Sequence, residues 1–170
     1  MSLALDVHGL SVQVDDGPLL LRDVALHVQA GEVVGLVGES GSGKTMASLA
    51  LMDLLPTGIS VTGGKATIGS HQHDLADPRT SRRGDMAMIF QNPRAALNPT
   101  MRVGRQVARA VALRQGASRT AARDEAVSLL QRVGIPGADR VARAYPHQLS
   151  GGMCQRVMIA MALALSLIHI

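Results

Sequence analysis

The 170-residue sequence predicts an α/β protein. An antiparallel β start feeds a parallel sheet core that carries an inserted helical subdomain. Three observations lead there. Leu3–Val14 and Leu20–Val28 alternate apolar and polar residues around a turn at Asp15-Asp16-Gly17-Pro18, the period-two pattern of half-buried antiparallel strands. Glu32–Val37 and Met86–Phe90 are short, nearly continuous apolar runs, as expected of strands covered on both faces in a parallel sheet. From residue 94 to residue 148 the apolar spacing becomes helical.

Taken in order, Gln29-Ala30-Gly31 turns the second strand into the Glu32–Val37 run. A helix is expected over Met46–Leu55, ended by Pro56-Thr57-Gly58. Gly63–Gly69 reads as a short strand with glycines at each end, and Ser70–Gly84 as a polar loop. His71 and His73 in that loop have no further His, Cys or carboxylate at a ligand spacing, so a metal site there is discounted. The strand at Met86–Phe90 ends at Gln91-Asn92-Pro93, because proline cannot continue a hydrogen-bonded ladder. Val103, Val107 and Val111 recur at four-residue spacing, and Ala122, Ala126, Leu129 or Leu130, and Val133 follow suit. Ser118 is placed as N-cap and Gly134 as C-cap.

Composition narrows the partners. The net charge is +4, and thirteen of the 17 basic residues lie between Arg79 and Arg143, against four acidic ones. Such a block is the electrostatic footprint of a nucleic-acid surface. Yet Phe90 and Tyr145 are the only aromatic side chains and Trp is absent, so there is no platform on which bases could stack. The expectation is no nucleic-acid partner, with the arginines on solvated helix faces or on a surface for a partner or acidic lipid heads. Met1–Leu10 has no basic start and no apolar block of a secretory signal. Val157–Leu167 is shorter than the roughly 20 residues that cross a bilayer. The single cysteine, Cys154, rules out an internal disulfide and agrees with a reducing compartment. A cytoplasmic chain is expected.

Gly38-Glu39-Ser40-Gly41-Ser42-Gly43-Lys44-Thr45 fits the phosphate-loop pattern of glycine, four free positions, then Gly-Lys-Ser/Thr, between an expected strand and an expected helix. The chain must turn tightly around a phosphate with its N–H groups inward, which side chains at those turns would obstruct. The helix start adds unpaired amides and the positive end of its dipole. Lys44 can reach the β- and γ-phosphates, and the Thr45 hydroxyl can ligate Mg²⁺. A nucleoside triphosphate is the ligand this pattern specifies.

A second glycine-rich helix start, Leu149-Ser150-Gly151-Gly152-Met153-Cys154-Gln155-Arg156, offers further free amides. With both motifs present, the chain closely resembles the ATP-binding subunits of ABC transporters over nearly its whole length. GESGSGKT is similar to their Walker A, Gln91 to their Q-loop glutamine, and LSGGMCQR to their signature. The spans MIFQNPRAALNPTMRV and YPHQLSGGMCQRVMIAMA are similar more narrowly to the subunits of peptide and nickel (dipeptide/oligopeptide) importers. The resemblance implies a P-loop NTPase (RecA-like) core, here incomplete at its C-terminal end. It also implies a head-to-tail dimer with ATP between Walker A of one subunit and the signature of the other.

In that arrangement Gly38 to Thr45 and Gln91 bind nucleotide, with Thr45 and Gln91 on Mg²⁺ and water. Leu149, Ser150, Gly151, Gly152 and Gln155 form the signature that closes across the interface. Membrane-spanning permease subunits dock after Gln91. A second ATPase subunit, identical or paralogous, completes the pair, and a solute receptor outside the membrane acts indirectly. The implied location is peripheral, on the cytoplasmic face of the bacterial inner membrane. Two positions depart from the family pattern: Val14 stands where an aromatic usually lies under adenine, and Cys154 where arginine is common.

The resemblance also implies an aliphatic strand ending in Asp, then Glu, and a downstream His, which fix Mg²⁺ and activate water. No Asp or Glu follows Asp139, so no catalytic residue is expected in this chain. Leu165–Ile170 resembles the translation of a sequencing adaptor, so a foreign tail on a reading frame cut short is expected, and His169 is not read as the switch histidine. The expected segments are 1–93 for the core with Walker A and Q-loop, 94–148 for the helical subdomain, 149–164 for the signature and its helix, and 165–170 for the tail. Two other readings stay open: a catalytically inactive nucleotide-binding protein, and a DNA-maintenance ATPase of the SMC type. The second would need a long coiled coil between the motifs, and no sustained heptads occur.

Overall fold

A computed structural model describes residues 3–77, 79 and 86–166. Part of the loop expected over 70–84 and most of the 165–170 tail lie outside the described residues. The chain divides into two compact units, Met1–Arg83 and Gly84–Ile170.

In the first unit, β1 (Leu3–Val14), β2 (Leu19–Gln29), β3 (Ile59–Ile68) and β4 (His71–Asp74) form one sheet in the order β2-β1-β3-β4. All three pairings are antiparallel. The alternation expected of the β start is realised in the middle of β1, where Val7, Leu10 and Val12 are fully buried, with Val12 opposite Leu21 and Val7 opposite Ala66, whereas Leu3 and Leu20 are exposed.

β3 is longer than the expected Gly63–Gly69 strand because its glycine pair does not end it. The register against β1 shifts between His8 and Ser11, and a Cβ on Gly64 would lie 2.8 Å from the Leu10 Cα. The two backbones approach too closely there for a side chain, as at a bulge. β4 replaces part of the expected polar loop. It pairs residue by residue with Lys65–Ile68 across a two-residue turn at Gly69-Ser70, and three of its four side chains are exposed. Main-chain pairing rather than apolar burial makes this edge strand, which is why no alternation announces it.

The strands expected at Glu32–Val37 and Met86–Phe90 are not formed. Residues 32–39 pair with nothing regular, and Val33 and Val37 are 96% and 93% exposed. Met86 makes a single bridge, and Ile89 and Phe90 are exposed. A parallel strand exists only when a neighbouring strand pairs its N–H and C=O groups, and among the described residues neither run is paired into a ladder. Apolar content alone does not make them strands.

Helix α1 (Lys44–Leu51) follows the phosphate loop and stops four residues before the expected Leu55. Asp53 turns into the left-handed region at φ 57°. Its N–H donates to the Ala50 carbonyl at 3.3 Å, and Leu54 N–H to that of Leu49 at 2.9 Å, a Schellman closure.

The second unit is helical: α2 (Pro93–Ala96), α3 (Val103–Gln115), α4 (Arg119–Arg132), α5 (Ala138–Ala142), a 3₁₀ turn (Pro146–Gln148) and α6 (Gly151–Ser166). The valine stripe Val103, Val107 and Val111 is fully buried, as its spacing requires. It packs in one cluster with Ala122, Ala126, Leu129 and Leu130 of α4 and Cys154, Val157 and Ala160 of α6. Both expected caps of α4 are in place. The Ser118 hydroxyl accepts the Ala121 N–H at 3.3 Å, and Gly134, at φ 76°, closes the other end with Gly134 N–H to Gln131 and Ile135 N–H to Leu130. Cys154 is a buried small residue of α6.

Candidate functional site

The phosphate loop is shaped by the residues that sequence spacing singled out. Gly43 caps α1 at φ 90°, and a Cβ there would collide with the Leu21 Cδ2 methyl of β2. A Cβ on Gly38 would come within 2.8 Å of the Ser42 hydroxyl. Ser42 N–H donates back to the Glu39 carbonyl at 3.2 Å, closing the turn through Ser40 and Gly41. The Lys44 ammonium folds over its own loop: Nζ donates to the carbonyls of Gly38 at 2.7 Å and Glu39 at 2.6 Å, and to Ser42 Oγ at 3.0 Å. All three ammonium hydrogens therefore have acceptors. The first amides of α1, at Lys44, Thr45 and Met46, have no preceding helical carbonyl to bond. The loop is open to solvent, with Gly43 and Lys44 partly covered. An ammonium and a helix start with unpaired amides thus lie on one solvent-exposed turn, an arrangement fit for the end of a polyphosphate.

Thr45 is exposed on the first turn of α1. Its hydroxyl is a hard donor of the kind Mg²⁺ accepts when phosphate oxygens and waters fill its other positions, and the amide oxygen of Gln91, in the second unit, is by itself a donor of the same kind. Val14 is half-buried at the end of β1, where its N–H donates to Pro18 O at 3.1 Å and its carbonyl accepts Gly17 N–H at 2.8 Å. It lines a shallow open hollow with Gln13, Asp15, Asp16 and Ser60. His71 and His73 lie on β4 opposite Ile68 and Ala66.

Gln91 and the signature residues belong to the second unit. Gln91 is exposed at a bend just before α2, whose start is capped by Asn92 Oδ1 accepting Ala95 N–H at 3.3 Å. Leu149 is buried, whereas Ser150, Gly151, Gly152 and Gln155 are exposed at the start of α6. Ser150 Oγ accepts the Met153 N–H at 3.2 Å. An added Cβ on Gly151 or Gly152 would meet nothing, so there is free space beside this turn.

Two polar residues escaped the sequence reading. Arg94 Nη2 donates to the Leu149 carbonyl at 2.8 Å. Gln106, the one buried polar residue among those described, clamps the loop before α3: its Oε1 accepts Asn98 N–H at 3.0 Å, and its Nε2 donates to the carbonyls of Asn98 at 2.9 Å and Met101 at 2.8 Å. A glutamine beside the Val103–Val107 stripe was a signal for the second. Outside the site, the exposed Arg79 guanidinium holds the Asp77 carboxyl below its usual range and is itself raised by it.

The ABC transporter family model matches residues 21–167. The glutathione import ATP-binding protein GsiA of Salmonella typhimurium is 44% identical over 177 aligned positions, covering 94% of this chain and 28% of that protein. GsiA of Escherichia coli is 44% identical over 153 positions, covering 85% and 25%. The chain thus spans about a quarter of the length of these curated relatives. CbiO1 from Clostridium perfringens, part of the ABC transporter complex CbiONQ, shares the fold at a TM-score of 0.73 and 23% identity, over 98% of this chain and 63% of that one. With a phosphate loop and a glycine-rich helix start in the order the sequence motifs require, and a family match through both, the chain belongs to the ABC transporter family.

Proposed function

We propose that this chain is the ATP-binding, energy-coupling part of an importer for peptides or related solutes. The observation that carries the reading is the Lys44 ammonium bound across the Gly38–Ser42 turn, beside the open start of α1. ATP would take the place of the loop carbonyls as acceptor for Lys44, with the loop amides on its phosphates. Thr45 and Gln91 would hold Mg²⁺, which supplies charge neutralisation of the β- and γ-phosphates when bound. Ser150, Gly151 and Gly152, at the head of Leu149–Gln155, would meet the γ-phosphate held by a second ATPase subunit, identical or paralogous. The half-buried Val14 would offer only an aliphatic surface to the base.

The solute class is supported by the relatives, whose names specify glutathione import. Permease subunits would dock on the segment after Gln91, at the edge of a helical subdomain over 94–148, and a solute receptor would act through them. No nucleic acid is assigned. The place would be the cytoplasmic face of the bacterial inner membrane, peripherally; among the described residues no helix is long and apolar enough to cross a membrane. The residues of this chain bind and orient nucleotide, and none is assigned to attack on the γ-phosphate. MgATP titration of the chain and of Lys44→Ala tests the reading.

A further inference from the structure

Arg94 lies three residues beyond Gln91, on α2, and reaches 55 positions along the chain to the Leu149 carbonyl, at 2.8 Å. Leu149 immediately precedes Ser150, and its side chain is buried. The peptide joining Leu149 to Ser150 is trans and planar, so its C=O and N–H point to opposite sides. A grip on the Leu149 oxygen therefore fixes the direction of the Ser150 N–H and the entry into α6. The flanking bonds leave this peptide as the adjustable one. Leu149 N–H is already committed to Pro146 O at 3.2 Å, and Met153 N–H to Ser150 Oγ at 3.2 Å. Arg94 is itself well seated, since Asn92 caps its helix and Leu97, at the helix end, is buried.

We propose that Arg94 is a positioning residue for the phosphate contact of Ser150, Gly151 and Gly152. It ties the segment after Gln91, through one charge-assisted hydrogen bond, to the amides that close on nucleotide held by a second subunit. This rests on the reading of the chain as an ATP-binding subunit. Losing the bond frees the peptide without exposing the Leu149 side chain, so the effect falls on the signature turn and not on the fold.

The test compares Arg94→Met with Arg94→Lys in the 170-residue chain. Four quantities are read: affinity for a fluorescent ATP analogue at low protein concentration, self-association in ATP relative to ADP by sedimentation, the unfolding midpoint, and amide exchange at 150–152. Arg94→Met is expected to weaken the ATP-specific association about tenfold, the scale of one hydrogen bond to a charged group. It should also quicken exchange at 150–152, while affinity and midpoint stay put. Arg94→Lys, which keeps a charged donor, should recover part of the association.

Unchanged association in Arg94→Met overturns the inference. So does a loss that merely follows a fall in midpoint, or nucleotide binding by the unsubstituted chain with no ATP-specific association. Failure of the unsubstituted chain to bind nucleotide is a different result, which removes the proposed function and this inference together.

Discussion

Gly43 stands against Leu21: the N-cap of α1 leaves no room for a Cβ beside the Leu21 Cδ2 methyl of β2. The contact couples the phosphate loop to the sheet in one unit, because the same residue that must bend at φ 90° also seats the helix start.

Gly43→Ala is therefore expected to destabilise the first unit by about 2 kcal/mol, from left-handed backbone strain together with overpacking. Denaturant unfolding checks it. In a Leu21→Ala background, itself costly because Leu21 is buried, Gly43→Ala should keep only the backbone share of its cost, and no cost there would show that the backbone geometry is unstrained.

Gln106→Leu removes three hydrogen bonds from the Asn98–Met101 loop. The loop borders solvent at Asn98 and Thr100, so water repairs part of the loss, and a cost of about 1–3 kcal/mol is expected. Amide exchange at Asn98 should rise more than exchange in the α3 interior. Equal rises in both would mean that the glutamine supports the whole unit.

Val33 and Val37 bury almost nothing, so Val33→Lys with Val37→Thr should leave the unfolding midpoint of the chain unchanged. Because the run Val33, Val34, Leu36, Val37 is a contiguous exposed apolar stretch, the same pair should lower light scattering on concentration. A stability loss of about 1 kcal/mol or more, the order seen for buried valine, would mean that the run is packed after all.

The sequence revealed what local periodicity encodes. The Val103-Val107-Val111 stripe, the Ser118 and Gly134 caps and the alternation of β1 were legible because each depends on residues within a turn or two. The runs at Glu32–Val37 and Met86–Phe90 were misread, since a parallel strand is defined by neighbours and not by its own composition. Asp53 ended α1 early because a non-glycine residue took the left-handed position usually signalled by glycine. In the candidate site, the Gly38–Thr45 pattern foretold the turn, but not that Lys44 would fold onto Gly38 and Glu39. The Arg94–Leu149 bond had no signal at all, because a separation of 55 positions erases any spacing rule.

The central claim is that Lys44 and the amides around Gly43 hold the phosphates of ATP. It is tested most directly by calorimetric MgATP titration of the chain and of Lys44→Ala. The account predicts saturable binding that the substitution weakens by about 1.5–3 kcal/mol, the worth of a hydrogen bond to a charged group. An identical titration curve for the two proteins, or no binding by either, would contradict it.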